Sequence, residues 1–221
     1  MGLAATSTQQ DFRDLFSLYA TIGLVVAALV LGAIVFAVIA YRRRDGRGLR
    51  EISVMKPLEA LWVAGVAAIV VVLVVSTFRT ESRLDALPGD ASQAVRVTAF
   101  QWGWRFTYPG SGVAVTGNDE RPPTLVVPSG VPVRFELISR DVIHAFWIPE
   151  LRFKRDAFPK RTLEFDLVFD PGVTTVGRCA EFCGLGHDRM GFQVVSMAPR
   201  GFDRWLRSHE RGGSAGGGGT A

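Results

Sequence analysis

The segment C-A-E-F-C-G-L-G-H-D-R-M at residues 179–190 holds both cysteines of the chain, one of its three histidines and a methionine. Two thiolates, an imidazole and a thioether in such a short stretch form a ligand set that suits copper. A structural zinc site more often uses two C-x-x-C pairs, or two cysteines with two histidines. A disulfide between Cys179 and Cys183 is the simpler alternative, but it would not explain why His187 and Met190 lie in the same short segment. The segment therefore predicts a metal site.

A further histidine lies well upstream of this segment. His144 stands in D-V-I-H-A-F-W-I-P-E-L, where a neighbouring strand or loop could bring its side chain to the same site. The remaining histidine, His209, lies beyond the motif beside a glycine-rich tail. We expect His144 to join the metal site and His209 to be a surface residue.

Two apolar runs precede the metal motif, at residues 18–41 and 58–78. The first contains no charged residue, and the second is charged only at Glu59. A helix needs about 20 apolar residues to cross a bilayer, so both runs are long enough. The first run is also too long for the apolar part of a signal peptide, and arginines follow it. The sequence predicts two transmembrane helices.

The short connection between the two runs is strongly basic. Basic residues stay on the cytoplasmic side of a membrane, so we expect this connection inside and both termini outside. Everything after about residue 79 is then extracytoplasmic. The same residues account for much of the sequence pI of 9.5, which gives little support to a nucleic-acid role. The basic residues are Arg42, Arg43, Arg44, Arg47, Arg50 and Lys56, against Asp45 and Glu51.

The rest of the chain has the pattern of a small all-β domain. Short segments rich in β-branched and aromatic residues alternate with Pro and Gly turn signals, as in a sandwich. A short helix is predicted at residues 201–209, and the Gly-rich end is typical of a flexible tail. We expect a membrane anchor and linker at 1–92, an external sandwich at 93–211 and a tail at 212–221. Strands are predicted at residues 94–108 (straight or bent), 124–128, 132–139, 143–148, 163–169 and 191–197.

The order of motifs along the chain resembles that of subunit II of cytochrome c oxidases of the haem–copper type. These motifs are two apolar runs, followed by Q-W-G-W, D-V-I-H and C-A-E-F-C-G-L-G-H-D-R-M. The resemblance extends over residues 18–205 and implies a cupredoxin-like sandwich that holds the dinuclear copper centre CuA. It also implies a role in an oxidoreductase of a bacterial-type plasma membrane. Such a subunit accepts electrons from a c-type cytochrome and passes them to haem in subunit I. There oxygen is reduced to water and protons are translocated. Oxidase subunits I and III are the implied partners.

The resemblance also assigns the ligands. It implies that the thiolates of Cys179 and Cys183 bridge two coppers, and that His144 and His187 each complete one of them. Met190 would be a weak ligand, and the backbone carbonyl of Glu181 the sixth. The Glu181 carboxylate would turn towards subunit I and help to bind a magnesium or manganese ion.

Two further residues acquire roles from the resemblance. Trp102 in Q-W-G-W corresponds to the residue that receives the electron from cytochrome c, whereas Trp104 is expected to be structural. Gly103 departs from the family pattern, which usually has an aromatic residue there. Glu59 lies in E-A-L-W, which resembles the E-x-x-W at the start of one proton-uptake path into subunit I. The alternative for Glu59 is an acid at a helix start, where the helix dipole favours negative charge.

The charge of the external region bears on the electron donor. Residues 93–204 contain 14 basic and 12 acidic side chains, so long-range steering of a basic partner should be weak. We therefore expect a c-type cytochrome that is less basic than usual or is held at the membrane. Four acidic residues could still form a patch around Trp102, namely Asp119, Glu120, Asp141 and Asp156.

Three other functions compete with this one. Quinol oxidase subunits II share the fold but lack the copper ligands, and a nitrous oxide reductase-like domain would not need two membrane helices. A membrane-tethered copper chaperone or assembly factor would bind the metal without an electron-transfer role. Because C-x-x-C-H does not occur in this sequence, we expect no fused c-type haem.

Overall fold

The computed structural model describes residues 5–42, 56–84, 91 and 93–214. Two compact units are present, one at residues 11–84 and the other formed mainly by residues from 85 onward. Most of the basic connection, most of the predicted linker and the last seven residues of the tail lie outside the described residues. The predicted orientation and domain limits therefore remain predictions.

The first unit consists of helices α1 (Ala5–Ala40) and α2 (Lys56–Leu84), both longer than the predicted apolar runs. Candidate membrane spans cover Gln10–Ala40 and Lys56–Ser82, with their apolar side chains largely exposed. The Tyr19 hydroxyl joins the two helices by donating to the Leu73 carbonyl at 3.2 Å. Such an apolar surface is suited to lipid rather than water, and the chain is an integral membrane protein.

The second unit is a β-sandwich of two five-stranded sheets, with the orders β3-β2-β1-β5-β8 and β4-β10-β9-β6-β7. Pairs β1/β5 and β4/β10 are parallel, and the other pairs are antiparallel. The strands are β1 Gln93–Phe100, β2 Gly103–Tyr108, β3 Val113–Asn118, β4 Thr124–Pro128, β5 Val133–Ser139, β6 His144–Ile148, β7 Phe153–Ala157, β8 Leu163–Leu167, β9 Thr174–Cys179 and β10 Gly191–Met197.

The core lies between the sheets and is rich in aromatic side chains. In β5, Val133, Phe135 and Leu137 are fully buried, as the alternation of apolar and polar residues predicts. Helix α3 (Pro199–Ser214) follows β10 and packs Trp205 against Tyr108, with ring centroids 5.1 Å apart. The predicted fold, two apolar helices followed by a cupredoxin-like sandwich, is confirmed.

One predicted element is wrong. Residues 94–108 form two antiparallel strands, β1 and β2, rather than a single straight or bent strand, and Phe100 pairs with Gly103 across the turn. Gly103 is also tightly packed, because an added Cβ would lie 2.2 Å from the Gly117 carbonyl oxygen. This close approach of backbones explains why a glycine stands between the two tryptophans.

Candidate metal centre

The metal motif occupies the connection between β9 and β10. Cys179 is the last residue of β9, and its backbone N–H donates to the Met190 carbonyl at 2.9 Å, so the loop closes on itself. The next amide, that of Ala180, donates to the Ala145 carbonyl at 3.2 Å in β6. These two bonds fix the loop to two strands and bring His144, the first residue of β6, beside Cys179.

The predicted ligands converge in pairs. The two Sγ atoms lie 3.8 Å apart, and Cys179 Sγ is 3.8 Å from His144 Nδ1. Cys183 Sγ is 3.6 Å from His187 Nδ1 and 3.8 Å from the Met190 sulfur. The backbone oxygen of Glu181 lies 3.3 Å from Cys179 Sγ. The structure thus brings all six predicted donors together, with one histidine beside each cysteine.

The chemistry of this cluster fits copper. Both cysteines are free and buried, and no disulfide joins them. Their sulfur atoms and a His144 nitrogen lie within 4.8 Å of one another. Sulfur and imidazole donors that surround one small buried volume favour a soft metal over calcium or magnesium.

The two thiols differ in acidity. Burial tends to raise the pKa of Cys179, but its hydrogen bonds with His144 and with the backbone of Ala145 and Glu181 lower that pKa to about 6. Burial, together with the charge and hydrogen bond of Cys179, raises the pKa of Cys183 to about 12. The metal-free pair therefore holds one thiolate near neutral pH, and metal binding must displace the proton of the other thiol.

Asp141 orients the first histidine. Its carboxylate Oδ1 lies 2.8 Å from His144 Nε2, on the opposite side of the ring from the Nδ1 atom that faces Cys179. Burial lowers the pKa of His144, but hydrogen bonds with Cys179 and Asp141 outweigh it and raise that pKa overall. Burial also raises the pKa of Asp141, while the bonds from His144 and backbone amides produce a net lowering. A carboxylate behind a ligating imidazole fixes its tautomer and ring orientation.

Trp102 packs directly on the metal loop. Its indole N–H donates to the Cys183 carbonyl at 3.1 Å, and the Gln101 side-chain amide donates to the same oxygen at 2.7 Å. A Cβ added to Gly186 would lie 2.7 Å from Trp102 Cγ, and one added to Gly184 would lie 3.0 Å from Cζ2. The two glycines therefore form the surface on which the indole ring rests, and Gly184 also needs its positive φ of 117°.

The other aromatic and histidine residues lie as the sequence predicts. Trp104 is fully buried and packs against Phe192, with ring centroids 5.3 Å apart, so it belongs to the core. Among the described residues its indole N–H finds no hydrogen-bond partner. His209 is exposed on α3 and lies against Trp205.

Two acidic residues have predicted roles outside the sulfur cluster: the Glu181 carboxylate points away from it, and Glu59 lies in the helical unit. The Glu181 carboxylate is exposed and lies 3.8 Å from Lys154 Nζ. Glu59 occupies the first turn of α2, with its side chain exposed. Both positions are compatible with the predicted roles, and both roles remain predictions.

Most of the acidic residues considered for a patch near Trp102 have a partner side chain within 4 Å. Glu120 is exposed, whereas the other three lie beside basic groups. Three of the four acidic residues therefore each have a neighbouring basic or imidazole group. The pairs are Asp119 with Arg189 at 3.2 Å, Asp156 with Lys154 at 3.3 Å, and Asp141 with His144 at 2.8 Å.

Sequence reasoning did not identify Gln101 or Asp141 as supports of the site. The backbone N–H of Gln101 donates to Asp141 Oδ2 at 2.8 Å, so these two residues link Trp102, His144 and the Cys183 carbonyl. The available signals were the acidic residue three positions before His144 and the amide directly before Trp102. Neither signal is specific without the strands that bring these turns together.

Comparison with known proteins places the chain in a family. A family model described as cytochrome c oxidase subunit II, periplasmic domain, matches residues 111–197. The chain is 32% identical over 235 residues to a probable cytochrome c oxidase subunit 2 of Streptomyces avermitilis, covering 87% of this chain and 73% of that protein. The corresponding protein of Streptomyces coelicolor is 32% identical over 256 residues, with 96% and 80% covered.

A solved structure agrees with these relatives. The periplasmic domain of subunit II of the cytochrome oxidase of Bradyrhizobium japonicum superposes with a TM-score of 0.51 at 26% identity. The match covers 57% of this chain and 99% of that domain. With its two apolar helices, its sandwich and its sulfur-rich loop, this chain belongs to the cytochrome c oxidase subunit 2 family and is a subunit of an oxidoreductase complex.

Proposed function

We propose that this chain is the electron-accepting subunit of a terminal oxidase of the haem–copper type. It would receive electrons from a c-type cytochrome and pass them to haem in subunit I, where oxygen is reduced to water with proton translocation. The observation that supports this role best is the convergence of six donors from residues 144–190 on one buried cluster. A single-metal chaperone site would not need both thiolates and both histidines.

The residues that would hold two copper ions are Cys179, Cys183, His144 and His187, with Met190 and the Glu181 carbonyl as weaker donors. When bound, such a dinuclear centre supplies a carrier that accepts and releases one electron with little change in ligand positions. The protein supports that property by fixing the donors through backbone bonds within the loop and to β6. Trp102, bonded to the Cys183 carbonyl, is the side chain that would receive the electron.

The arrangement in the membrane follows from the basic connection between the helices. With that connection on the cytoplasmic side, both termini and the sandwich face the extracytoplasmic space. Subunit I, and with it subunit III, would contact the chain in the membrane. The exposed Glu181 carboxylate would turn towards subunit I and share a magnesium or manganese ion with it. The donor is expected to be a c-type cytochrome that is less basic than usual or is membrane-held.

Metal analysis of the purified full-length chain tests the proposal directly. We expect two coppers per chain, because two thiolates and two imidazoles can complete two soft-metal sites. One exchangeable copper per chain would instead favour a membrane-tethered assembly factor. A chain without copper whose two cysteines are oxidised to a disulfide would contradict both functions.

Glu59→Gln tests the proposed start of a proton path. We expect oxygen-consuming turnover and reduction of the oxygen-binding site in subunit I to slow severalfold, because a carboxylate in a membrane-spanning helix is costly and is by default functional. Glu81→Gln is a matched control, since Glu81 is an exposed acid near the other end of the same helix. Normal turnover in Glu59→Gln would leave Glu59 as a helix-start acid stabilised by the helix dipole.

A further inference from the structure

Helix α3 carries a row of arginines along its outer face. Arg200, Arg204 and Arg207 follow one another at intervals of four and three residues, and Arg211 continues this spacing in the sequence. At 3.6 residues per turn, four such positions fall within about 60° of one another around the helix axis. The side chains of Arg200, Arg204 and Arg207 are all exposed. We call these four residues the arginine stripe.

The opposite face of α3 packs on the sandwich. Phe202 is 2% exposed, and Trp205 and Leu206 are partly buried against the same core. At 3.6 residues per turn these three positions lie on the side of the helix away from the arginine stripe. An amphipathic helix can bury its apolar face in a bilayer, but α3 already buries that face in protein. The basic face is therefore the part of α3 that remains available to a partner.

The stability of the helix does not explain the arginine stripe. Like charges three or four residues apart repel each other, and a cation in the first turn opposes the helix dipole. Arg200 occupies that turn, which contains no acidic residue. In the described part of the chain, neither Arg200 nor Arg204 has an ion-pair partner. Asp203 and Glu210, the acidic residues of α3, lie about 70–90° to one side of the stripe. Such a row of cations fits an anionic partner outside the chain.

Helix α3 packs at the end of the sandwich that the chain enters from α2. Trp205 and Phe202 contact Tyr108, the last residue of β2, with ring centroids 5.1 Å and 6.0 Å away. The preceding residue, Thr107, pairs with Arg96 near the start of β1, which is the first strand after the connection from α2. The metal loop and the turn between β1 and β2 lie at the other end. The sandwich therefore carries α3 at the end that is joined to the membrane anchor.

We propose that the arginine stripe binds the headgroups of anionic phospholipids in the membrane to which the chain is anchored. A guanidinium group donates paired hydrogen bonds that match the oxygens of a phosphate. Each arginine close to an anionic lipid surface raises affinity about fivefold, so four such contacts are enough to hold a domain that is already tethered. The inference is independent of the proposed electron-accepting function, because it uses no residue of the metal centre.

Amide hydrogen exchange of the purified full-length chain in lipid nanodiscs tests the proposal. Discs of phosphatidylcholine alone are compared with discs in which about a third of the lipid is phosphatidylglycerol. We expect the backbone amides of α3 to exchange about tenfold more slowly in the anionic discs, because bound headgroups oppose local opening of the helix. The amides of β5, in the core, are the internal reference and should not differ. Raising the salt concentration to about 0.5 M should remove the difference, since exposed charges are then screened.

Paired substitutions separate the charge of the stripe from general damage. Arg204→Gln with Arg207→Gln leaves as many acidic as basic side chains on α3, so the slowing should fall below about twofold. Replacing the same two residues with lysine should retain most of it, because lysine keeps the charge. The matched control, Arg121→Gln with Arg140→Gln, removes two exposed arginines from the other end of the sandwich and should leave the slowing unchanged. Parent-like exchange of every variant in the neutral discs verifies that α3 is folded.

Three results would overturn the proposal. The first is equal exchange of α3 in the two kinds of disc. The second is a control pair that removes the slowing as fully as the pair in the stripe does. The third is protection of α3 that appears only in the complete oxidase and in neutral lipid, which would identify an acidic protein segment as the occupant. None of these results bears on the copper centre, which EPR measures separately.

Discussion

Replacing Cys183 with serine should abolish the delocalised mixed-valence EPR signal of the oxidised protein. The side chain is buried, and its sulfur lies within 3.8 Å of the Cys179 sulfur, the His187 nitrogen and the Met190 sulfur. A serine hydroxyl is a hard oxygen donor and does not bridge two copper ions as a thiolate does. We expect complete loss of the signal and fewer than two coppers per chain.

The size of the substitution makes this test clean. Serine occupies nearly the volume of cysteine, so the sandwich should fold, and circular dichroism of the variant should match that of the parent. Met190→Leu is the companion variant, because it removes only the weak thioether donor and keeps both thiolates. The EPR signal of Met190→Leu should remain that of a delocalised mixed-valence pair, with shifted EPR parameters. An unchanged signal in Cys183→Ser would refute the assignment of the dinuclear site.

The strands that sequence patterns predict well are those with local signals. The predicted segments at 124–128 and 191–197 coincide with β4 and β10, and alternation identifies β5. Three strands were not predicted, namely β3, β7 and β9. Two of them have weak local patterns: β7 contains three consecutive charged residues from Lys154 to Asp156, and β9 contains Gly177. Gly177 is needed because an added Cβ would lie 2.0 Å from the Phe192 ring. Packing between strands, rather than local preference, decides these elements.

The turn between β1 and β2 shows the same limit. The two central residues of this turn, Gln101 and Trp102, are neither Gly, Pro, Asn nor Asp, so the single Gly103 that follows them is only a weak signal of a reversal. Asp141 and the Cys183 carbonyl hold this turn from distant parts of the chain. The types of metal-donor side chain could be predicted from one short sequence motif. The residues that hold Trp102 and His144 in place could not, because they come together only in the folded sandwich.

Gly186→Ala should slow electron transfer from the cytochrome while leaving the copper signal intact. The added methyl would lie 2.7 Å from Trp102 Cγ, so the indole ring must leave its place on the metal loop. Overpacking of this kind costs about 1–3 kcal/mol, and every 1.4 kcal/mol lowers the population of the native arrangement about tenfold. If Trp102 receives the electron, the rate of electron transfer from the cytochrome should fall by about the same factor as the population of the native arrangement.

Three variants separate the role of Trp102 from general damage. Trp102→Leu should reduce the transfer rate at least as much as Gly186→Ala, because it removes both the ring and the bond to the Cys183 carbonyl. Gly201→Ala is the matched control, since a methyl there meets only Met197 at ordinary distances of 3.6 Å and more. Rapid-mixing kinetics with a reduced c-type cytochrome gives the rate, and EPR verifies that the copper site is intact. Parent-like transfer in both Gly186→Ala and Trp102→Leu would mean that the electron reaches the copper site by another route, and that Trp102 only packs the loop.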